Sequence, residues 1–237
     1  MGWERKAEEA SIRLSAIERD YAPAVFASSL GLEDMVLTDL IIRRFPGIGL
    51  FTLDTGRLPE ETYRLMDQVA AHYGARIAVY FPDTAALEDF TRRHGANPFY
   101  GSLSLRRQCC RVRKVEPLGR ALAAKKAWIT GLRREQAATR QEVDFAEFDP
   151  DHGLHKFNPL ADWTLDDVWG YIRRFDVPYN ALHDRGYPSI GCAPCTRAVA
   201  PGDDVRAGRW WWEDAQAKEC GCHAPARGVT ITDEVMR

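Results

Sequence analysis

Short apolar runs alternate with amphipathic stretches through the first half of the chain. Ala24 to Ser28 is apolar and ends in Ser-Ser-Leu-Gly. Behind it Met35, Val36, Leu40 and Ile41 recur at helical spacing, after an acidic first turn of Glu33 and Asp34. A second apolar run, Gly49 to Leu53, leads into Asp54-Thr55-Gly56, and a helix then opens at Pro59-Glu60-Glu61 and closes at Gly74. Arg76 to Phe81 is a third strand candidate, followed by a helix from about Thr84 to Gly95. Lys114 to Lys126 predicts another helix, and Ala127 to Thr130 a fourth strand ahead of Gly131. Strands alternating with helices in this way predict an α/β fold, a mostly parallel sheet flanked by helices and joined by right-handed crossovers.

The second half is less regular. Lys156 to Leu160 suggests a short strand and turn. Thr164 to Phe175 predicts a helix: Thr164 and Asp167 fit a capping box, and Leu165, Val168, Trp169 and Ile172 share one face. Beyond Gly191 the composition shifts to Cys, Pro, Gly and Trp, with no repeat or Ser/Gly linker. The expected organisation is one α/β domain over 1–202, with an irregular C-terminal segment over 203–237.

Composition narrows the class. The 237 residues are 45% hydrophobic and 28% charged, as in a globular protein and unlike a disordered one. Thirty-two Lys+Arg against thirty-four Asp+Glu leave a net charge of −2, so no basic field points to nucleic acid. No apolar run approaches the ~20 residues of a membrane span. Met1 to Arg19 alternates charged with apolar residues and lacks the apolar core of a secretion signal, so a cytoplasmic protein is expected. The six cysteines are too few for a disulfide-stapled scaffold of this length.

Two predicted strand ends carry polar loops. A glycine-containing turn such as Ser28-Ser29-Leu30-Gly31 presents backbone N–H groups and hydroxyls to a phosphate at a helix N-terminus; an ordinary serine-capped turn fits the same residues. Neither the Walker pattern nor Gly-x-Gly-x-x-Gly is present. Leu53-Asp54-Thr55-Gly56 lies at the same carboxyl edge, where open α/β sheets bind ligands. Gly131, Arg133 and Arg134 follow the fourth strand, and Arg206 and Arg209 precede Trp210-Trp211-Trp212; these arginines are candidates for anion recognition, a solvated surface being the alternative for each. The tryptophans themselves suit packing of the tail onto the domain.

The cysteines fall into pairs. Cys109-Cys110 and Cys192-Ala-Pro-Cys195 together offer four thiolates, enough for a tetrahedral zinc or a four-iron cluster. Adjacent cysteines suit a cluster better than a zinc knuckle; a reduced dipeptide beside a redox Cys-x-x-Cys is the alternative. Cys220, in Lys218-Glu219-Cys220-Gly221-Cys222-His223, has neighbouring cationic groups that favour a thiolate nucleophile, against a tail cysteine without a role.

Taken in order, Ser-Ser-x-Gly-x-x-Asp, Leu-Asp-Thr-Gly-Arg, Cys-Cys-x-x-Arg-Lys, Thr-Gly-x-Arg-Arg, Lys-Phe-Asn-Pro-Leu, Ile-Gly-Cys-x-Pro-Cys-Thr-Arg, Gly-Arg-Trp-Trp-Trp-Glu and Glu-Cys-Gly-x-His strongly resemble the assimilatory adenylylsulfate (APS) reductases of the wider APS/PAPS reductase family. The resemblance runs from about residue 24 to 223. It implies an adenine-nucleotide α-hydrolase-like (Rossmann-like) sheet and reduction of adenosine 5′-phosphosulfate to sulfite and AMP. It further implies a [4Fe-4S] cluster on Cys109, Cys110, Cys192 and Cys195, and a nucleophile at Cys220 on a mobile tail that ends its motif in His223. Lys114, Arg133, Arg206 and Arg209 would then face the sulfate and phosphate, with Ser28, Ser29, Gly31, Leu53, Asp54, Thr55, Gly56 and Gly131 around the nucleotide. The implied partners are APS or PAPS as substrate and thioredoxin or glutaredoxin as reductant, and a homo-oligomer stays open. Three departures stand out. Cys222 replaces the usual Leu and suggests a second, resolving thiol; Glu135 replaces Asp; and Arg106 and Arg107 make the loop before the cysteines basic enough to help admit a 3′-phosphate. The competing readings are an ATP-dependent adenylating or sulfurtransferase enzyme on the same fold, whose Ser-Gly-Gly-x-Asp-Ser loop is lacking, and a zinc module binding a partner through the tryptophans.

Overall fold

A computed structural model describes residues 2–137 and 140–213. The sheet contains β1 (Ala24–Ala27), β2 (Gly49–Leu53), β3 (Ala78–Tyr80), β4 (Ala127–Ile129), β5 (Ala146–Asp149) and β6 (Leu154–Phe157), in the order β3-β2-β1-β4-β6-β5. All pairings are parallel except β5 with β6. The chain winds outward from β1 to β3 and then returns to β4 on the other side of β1. The carboxyl ends of β1 and β4 therefore form the switch point at which such sheets leave a crevice.

Alternation along the strands feeds two cores. Phe26 of β1, Ile129 of β4 and Phe157 of β6 join a large core with α1 (Trp3–Asp20), α2 (Leu32–Arg44), α3 (Glu60–Tyr73) and α7 (Leu165–Phe175). Val25, Phe51 and Trp128 face the other way, onto Leu118, Ala121 and Leu122 of α6 (Glu116–Leu122). Helices α4 (Thr84–His94) and α5 (Leu103–Cys110) complete the set.

The expected strands and helices are present, with four differences. The third strand shrinks to Ala78–Tyr80, an edge strand with β2 as its one neighbour. The helix expected over Lys114 to Lys126 begins much earlier: α5 runs into a π turn at Arg111–Val115 and on into α6, which stops at Leu122. Lys156 and Phe157 end β6, the second arm of a hairpin with β5; the chain then turns at Asn158, whose Oδ1 accepts from Thr130 Oγ1 at 2.6 Å. The N-terminal helix α1 buries only the narrow stripe Ala10, Leu14 and Ile17 among its charges, too thin a pattern to stand out.

Asp39, buried in α2, holds this layer together. It accepts from Tyr73 Oη of α3 and Tyr171 Oη of α7, both at 2.8 Å, and from Arg43 Nε at 2.7 Å. Burial beside this carboxylate pushes both phenols far above their ordinary range. An Asp39→Ala protein is expected to lose about 3 kcal/mol in urea unfolding, because two buried hydroxyls are left without an acceptor.

Candidate functional site

A cavity of about 850 Å³ opens at the carboxyl ends of β1, β2 and β4. Of the residues expected at a site, Ser28, Ser29, Gly31, Leu53, Thr55, Lys114, Gly131, Arg133, Arg206 and Arg209 line it. Asp54 and Gly56 do not. The Asp54 carboxylate is turned onto its own loop, accepting from Gly56 N at 2.7 Å and Tyr63 Oη at 2.9 Å, and burial with this partner pushes the Tyr63 phenol up to about 12. Gly56 supplies the φ of +67° the turn needs.

The β1–α2 turn is held from within. Leu30 adopts the left-handed φ of 61°, unusual for a leucine, and its side chain is locked in the large core. Helix α2 begins with Gly31 as its cap, and no side chain bonds its first-turn N–H groups at that position. Asp34, one turn in, gathers two loops: its Oδ2 accepts from Ser29 N at 2.5 Å and Ser29 Oγ at 2.6 Å, and Gly131 N also donates to the carboxylate. A Cβ at position 131 would overlap Asp34 Oδ1, so glycine is required there. Burial pushes the Asp34 carboxyl up to about 6, opposed by these hydrogen bonds. In the sequence Asp34 showed as part of an acidic first turn and as the last residue of the Ser-Ser-x-Gly-x-x-Asp motif, without a role of its own.

The arginines divide. Arg133 lines the cavity, but its guanidinium is bonded to Glu33 (Nε to Oε1, 2.9 Å), to Glu135 (2.9 Å) and to the Trp163 carbonyl. Two carboxylates thus offset the charge expected to meet an anion. Arg209 donates to the Cys195 carbonyl at 3.3 Å and lies over the Trp210 ring, 4.8 Å from its centroid. Gly191 makes room for it, since a Cβ there would collide with the guanidinium. Arg106 is a correction to the idea of a 3′-phosphate contact: its guanidinium pairs with Glu213, and neither Arg106 nor Arg107 lines the large cavity.

Cys109, Cys110, Cys192 and Cys195 are buried, form no disulfide with one another and line one small cavity, which adjoins the large one through Lys114, Cys192 and Trp210. The first pair ends α5; the second brackets a single turn, Ala193–Cys195, tied back by Ala193 N to the Arg57 carbonyl at 2.8 Å. Trp210 N donates to the Cys195 carbonyl at 3.3 Å, and Thr196 bridges to Arg209, so the stretch 203–213 is stitched onto the Cys-x-x-Cys loop. Thr55 Oγ1 lies 3.2 Å from Cys192 Sγ, and Arg113 Nη1 donates to the Thr55 carbonyl at 2.5 Å. Burial pushes the Cys195 thiol up to about 11 and Cys109 upward too, with Lys114 and Arg209 opposing at the first and Arg113 at the second.

As placed, no group of three or more His, Cys, Asp or Glu side chains among the described residues could hold a metal ion. A single zinc would need its sulfur atoms to converge at about 2.3 Å on one point. A four-iron cluster asks for something else, one cysteine per iron around a larger body. Its sulfurs also take hydrogen bonds, and Arg113 Nε and Trp210 Nε1, both on the wall of the cysteine cavity, are buried donors with no hydrogen-bond partner among the described residues. The donor set fits a cluster better than an ion. Cys220, Cys222 and His223 lie outside the described residues.

Among the described residues no helix is long and apolar enough to cross a membrane. Fold and site together define a Rossmann-like enzyme with a nucleotide-sized cavity at the sheet's switch point and a cysteine quartet at its cationic end. The phosphoadenosine phosphosulfate reductase domain matches residues 23–198, and the chain belongs to that APS/PAPS reductase family of oxidoreductases. It is 57% identical over 217 residues to an adenosine 5′-phosphosulfate reductase of Allochromatium vinosum, covering 91% of this chain and 85% of that one. A protein of the same name from Neisseria meningitidis is 51% identical over 219 residues, covering 92% and 90%. Among solved structures, a phosphoadenylyl-sulfate reductase from Candida auris superposes with a TM-score of 0.67 at 29% identity, over 81% of this chain and 89% of that one. The FMN adenylyltransferase of Candida glabrata shares the fold alone, with a TM-score of 0.54 at 13% identity over 92% and 76%.

Proposed function

We propose that the protein reduces adenosine 5′-phosphosulfate to sulfite and AMP, with Cys220 as nucleophile. The observation that supports this most is the junction of the two cavities. There Lys114 lines both cavities, and Arg206 and Arg209 of the nucleotide cavity lie over the ring of Trp210, which the two cavities share. Those cations offset charge on the sulfate and phosphate as the S–O bond lengthens. The β1–α2 turn and Gly131 hold the nucleotide side, and the apolar wall of Leu53, Leu118 and Trp128 suits an adenine.

In the proposed reaction the Cys220 thiolate attacks the sulfate sulfur. An S–S bond forms, the S–O bond to the phosphate breaks, and AMP leaves as an anion. A thiolate of thioredoxin or glutaredoxin then attacks Cys220 Sγ, and sulfite departs with the electron pair of the S–S bond. The partner's second thiol releases the mixed disulfide, so the partner is oxidised and Cys220 returns as thiolate. Cys109, Cys110, Cys192 and Cys195 would hold a [4Fe-4S] cluster, which when bound supplies electrostatic polarisation at the sulfate end and structural support. Thr55, Arg113 and Trp210 are placed to orient its ligands.

Incubation with APS labelled in its sulfur, without a thiol partner, tests the assignment. The protein is expected to retain about one label per chain, released as sulfite on adding thioredoxin. Cys220→Ser is expected to retain none; labelling that survives the substitution removes Cys220 as nucleophile.

A further inference from the structure

Helix α5 presents Arg106 one turn before Cys110, on the face that lines the cysteine cavity. Its guanidinium meets Glu213 as a fork on a fork, Nε to Oε1 at 2.9 Å and Nη2 to Oε2 at 2.8 Å. Both side chains are nearly sealed, 2% and 7% exposed. The same guanidinium lies 4.5 Å from the centroid of Trp210 and interacts with Cys110. Glu213 is held a second time by its backbone, N donating to the Trp210 carbonyl at 2.8 Å. A buried ion pair of this kind is weak evidence for net stability, since desolvation cancels much of its attraction; what it does secure is a single geometry.

We propose that the Arg106–Glu213 pair is a clamp that positions the nucleophile, fixing the point from which the segment bearing Cys220 departs. This rests on the assignment of Cys220 above. Cys220 follows Glu213 by seven positions, a tether of at most about 25 Å at ~3.5 Å per residue. The root of that tether sits against the cysteine cavity, and the cavity adjoins the cationic end where the sulfate would lie. A short tether rooted beside its target keeps the local concentration of the thiolate high; a longer or misdirected one lowers it without touching the substrate's own contacts. Arg106 and Glu213 are therefore positioning residues. They bear on the formation of the S-sulfo intermediate and leave nucleotide affinity alone.

The test is single-turnover labelling of Cys220 by sulfur-labelled APS, compared between the native protein and Glu213→Gln, with iron content, thermal midpoint and tryptophan emission followed in parallel. Glu213→Gln is expected to form the intermediate about fivefold more slowly at saturating nucleotide, with KM within about twofold of the parent. Trp210 emission should shift as its guanidinium partner moves. Glu213→Asp, which keeps the carboxylate on a shorter arm, is expected to fall between the two and stands in if Glu213→Gln does not fold. An undiminished rate alongside a shifted emission overturns the clamp, as does a KM that rises in step with the loss of rate. If the native protein never labels on Cys220, the assignment of the nucleophile falls and the clamp with it. If native and variant label equally fast, the nucleophile stands and only the clamp is removed.

Discussion

A Cys195→Ser protein is expected to purify without the iron of its parent and without sulfonucleotide turnover. Iron should fall from about four atoms per chain to well under one, with loss of the absorbance near ~400 nm. Without a cluster the site would be poorly matched. Four buried thiols would crowd a cavity whose wall includes Arg57, Arg106, Arg113 and Lys114, and burial holds the Cys195 thiol up to about 11, where it stays neutral. A buried surround of cations facing neutral thiols is unfavourable, whereas cations around thiolate-ligated iron meet a charge of opposite sign. Serine at position 195 removes one ligand and leaves the cations in place. The thermal midpoint should fall with the iron, since binding to the folded state alone adds directly to its stability. Iron retained at the parental level in Cys195→Ser would show that the quartet does not hold it.

The second large effect is expected at Asp34, and its pH dependence has a definite sign. The carboxyl is raised from an ordinary value of 3.8 to about 6 in the folded chain. Between these values the folded state takes up a proton that the unfolded state does not, so this group's contribution to stability declines as pH rises through that window. Above pH 6 the charged form costs about 3 kcal/mol. The chain bears this cost at its cavity because the charged carboxylate accepts from Ser29 and Gly131, holding two nucleotide-facing loops together. Acid therefore acts in opposite directions: protonation relieves the buried charge and loosens the loops. Nucleotide binding by the parent should weaken as pH falls through about 6. In Asp34→Asn the amide turns N–H toward groups that are themselves donors, so the Kd for AMP should rise about tenfold and the acid limb of the binding profile should flatten. Titration calorimetry with AMP at pH 5.5 and 7.5 checks this. An Asn variant that keeps the parental pH response would assign that limb to another group.

Legibility in the sequence followed the range of the interactions. Helix α7 announced itself because its cap, Thr164 with Asp167, and its apolar face lie within a dozen residues. Strands β1 and β4 were readable for a similar reason: each is a short apolar run buried on both faces. The two cysteine pairs carry spacing that needs no tertiary knowledge. What depends on distant partners was silent. The hairpin arm Ala146–Asp149 has little apolar pattern of its own and exists through its pairing with β6. The role of Asp34 requires Gly131, and the pairing of Arg133 requires Glu33, about a hundred positions away. Arg106 suggested help for a 3′-phosphate because its acceptor, Glu213, lies at the far end of the described chain.

The π turn at Arg111–Val115 separates two properties that a regular helix ties together, its length and the direction its side chains face. Such a turn is an α-helix carrying one extra residue as a local bulge, with the flanking segments kept in phase. Removing a single residue there would leave α5 and α6 in phase. Side chains within the turn would swing by about 100° against those beside them. Arg113 and Lys114 lie in that turn, directly after the cysteine pair. A descendant shortened by one residue at this point would therefore keep the architecture and lose the cations from their places, giving a folded protein free to drift toward other chemistry.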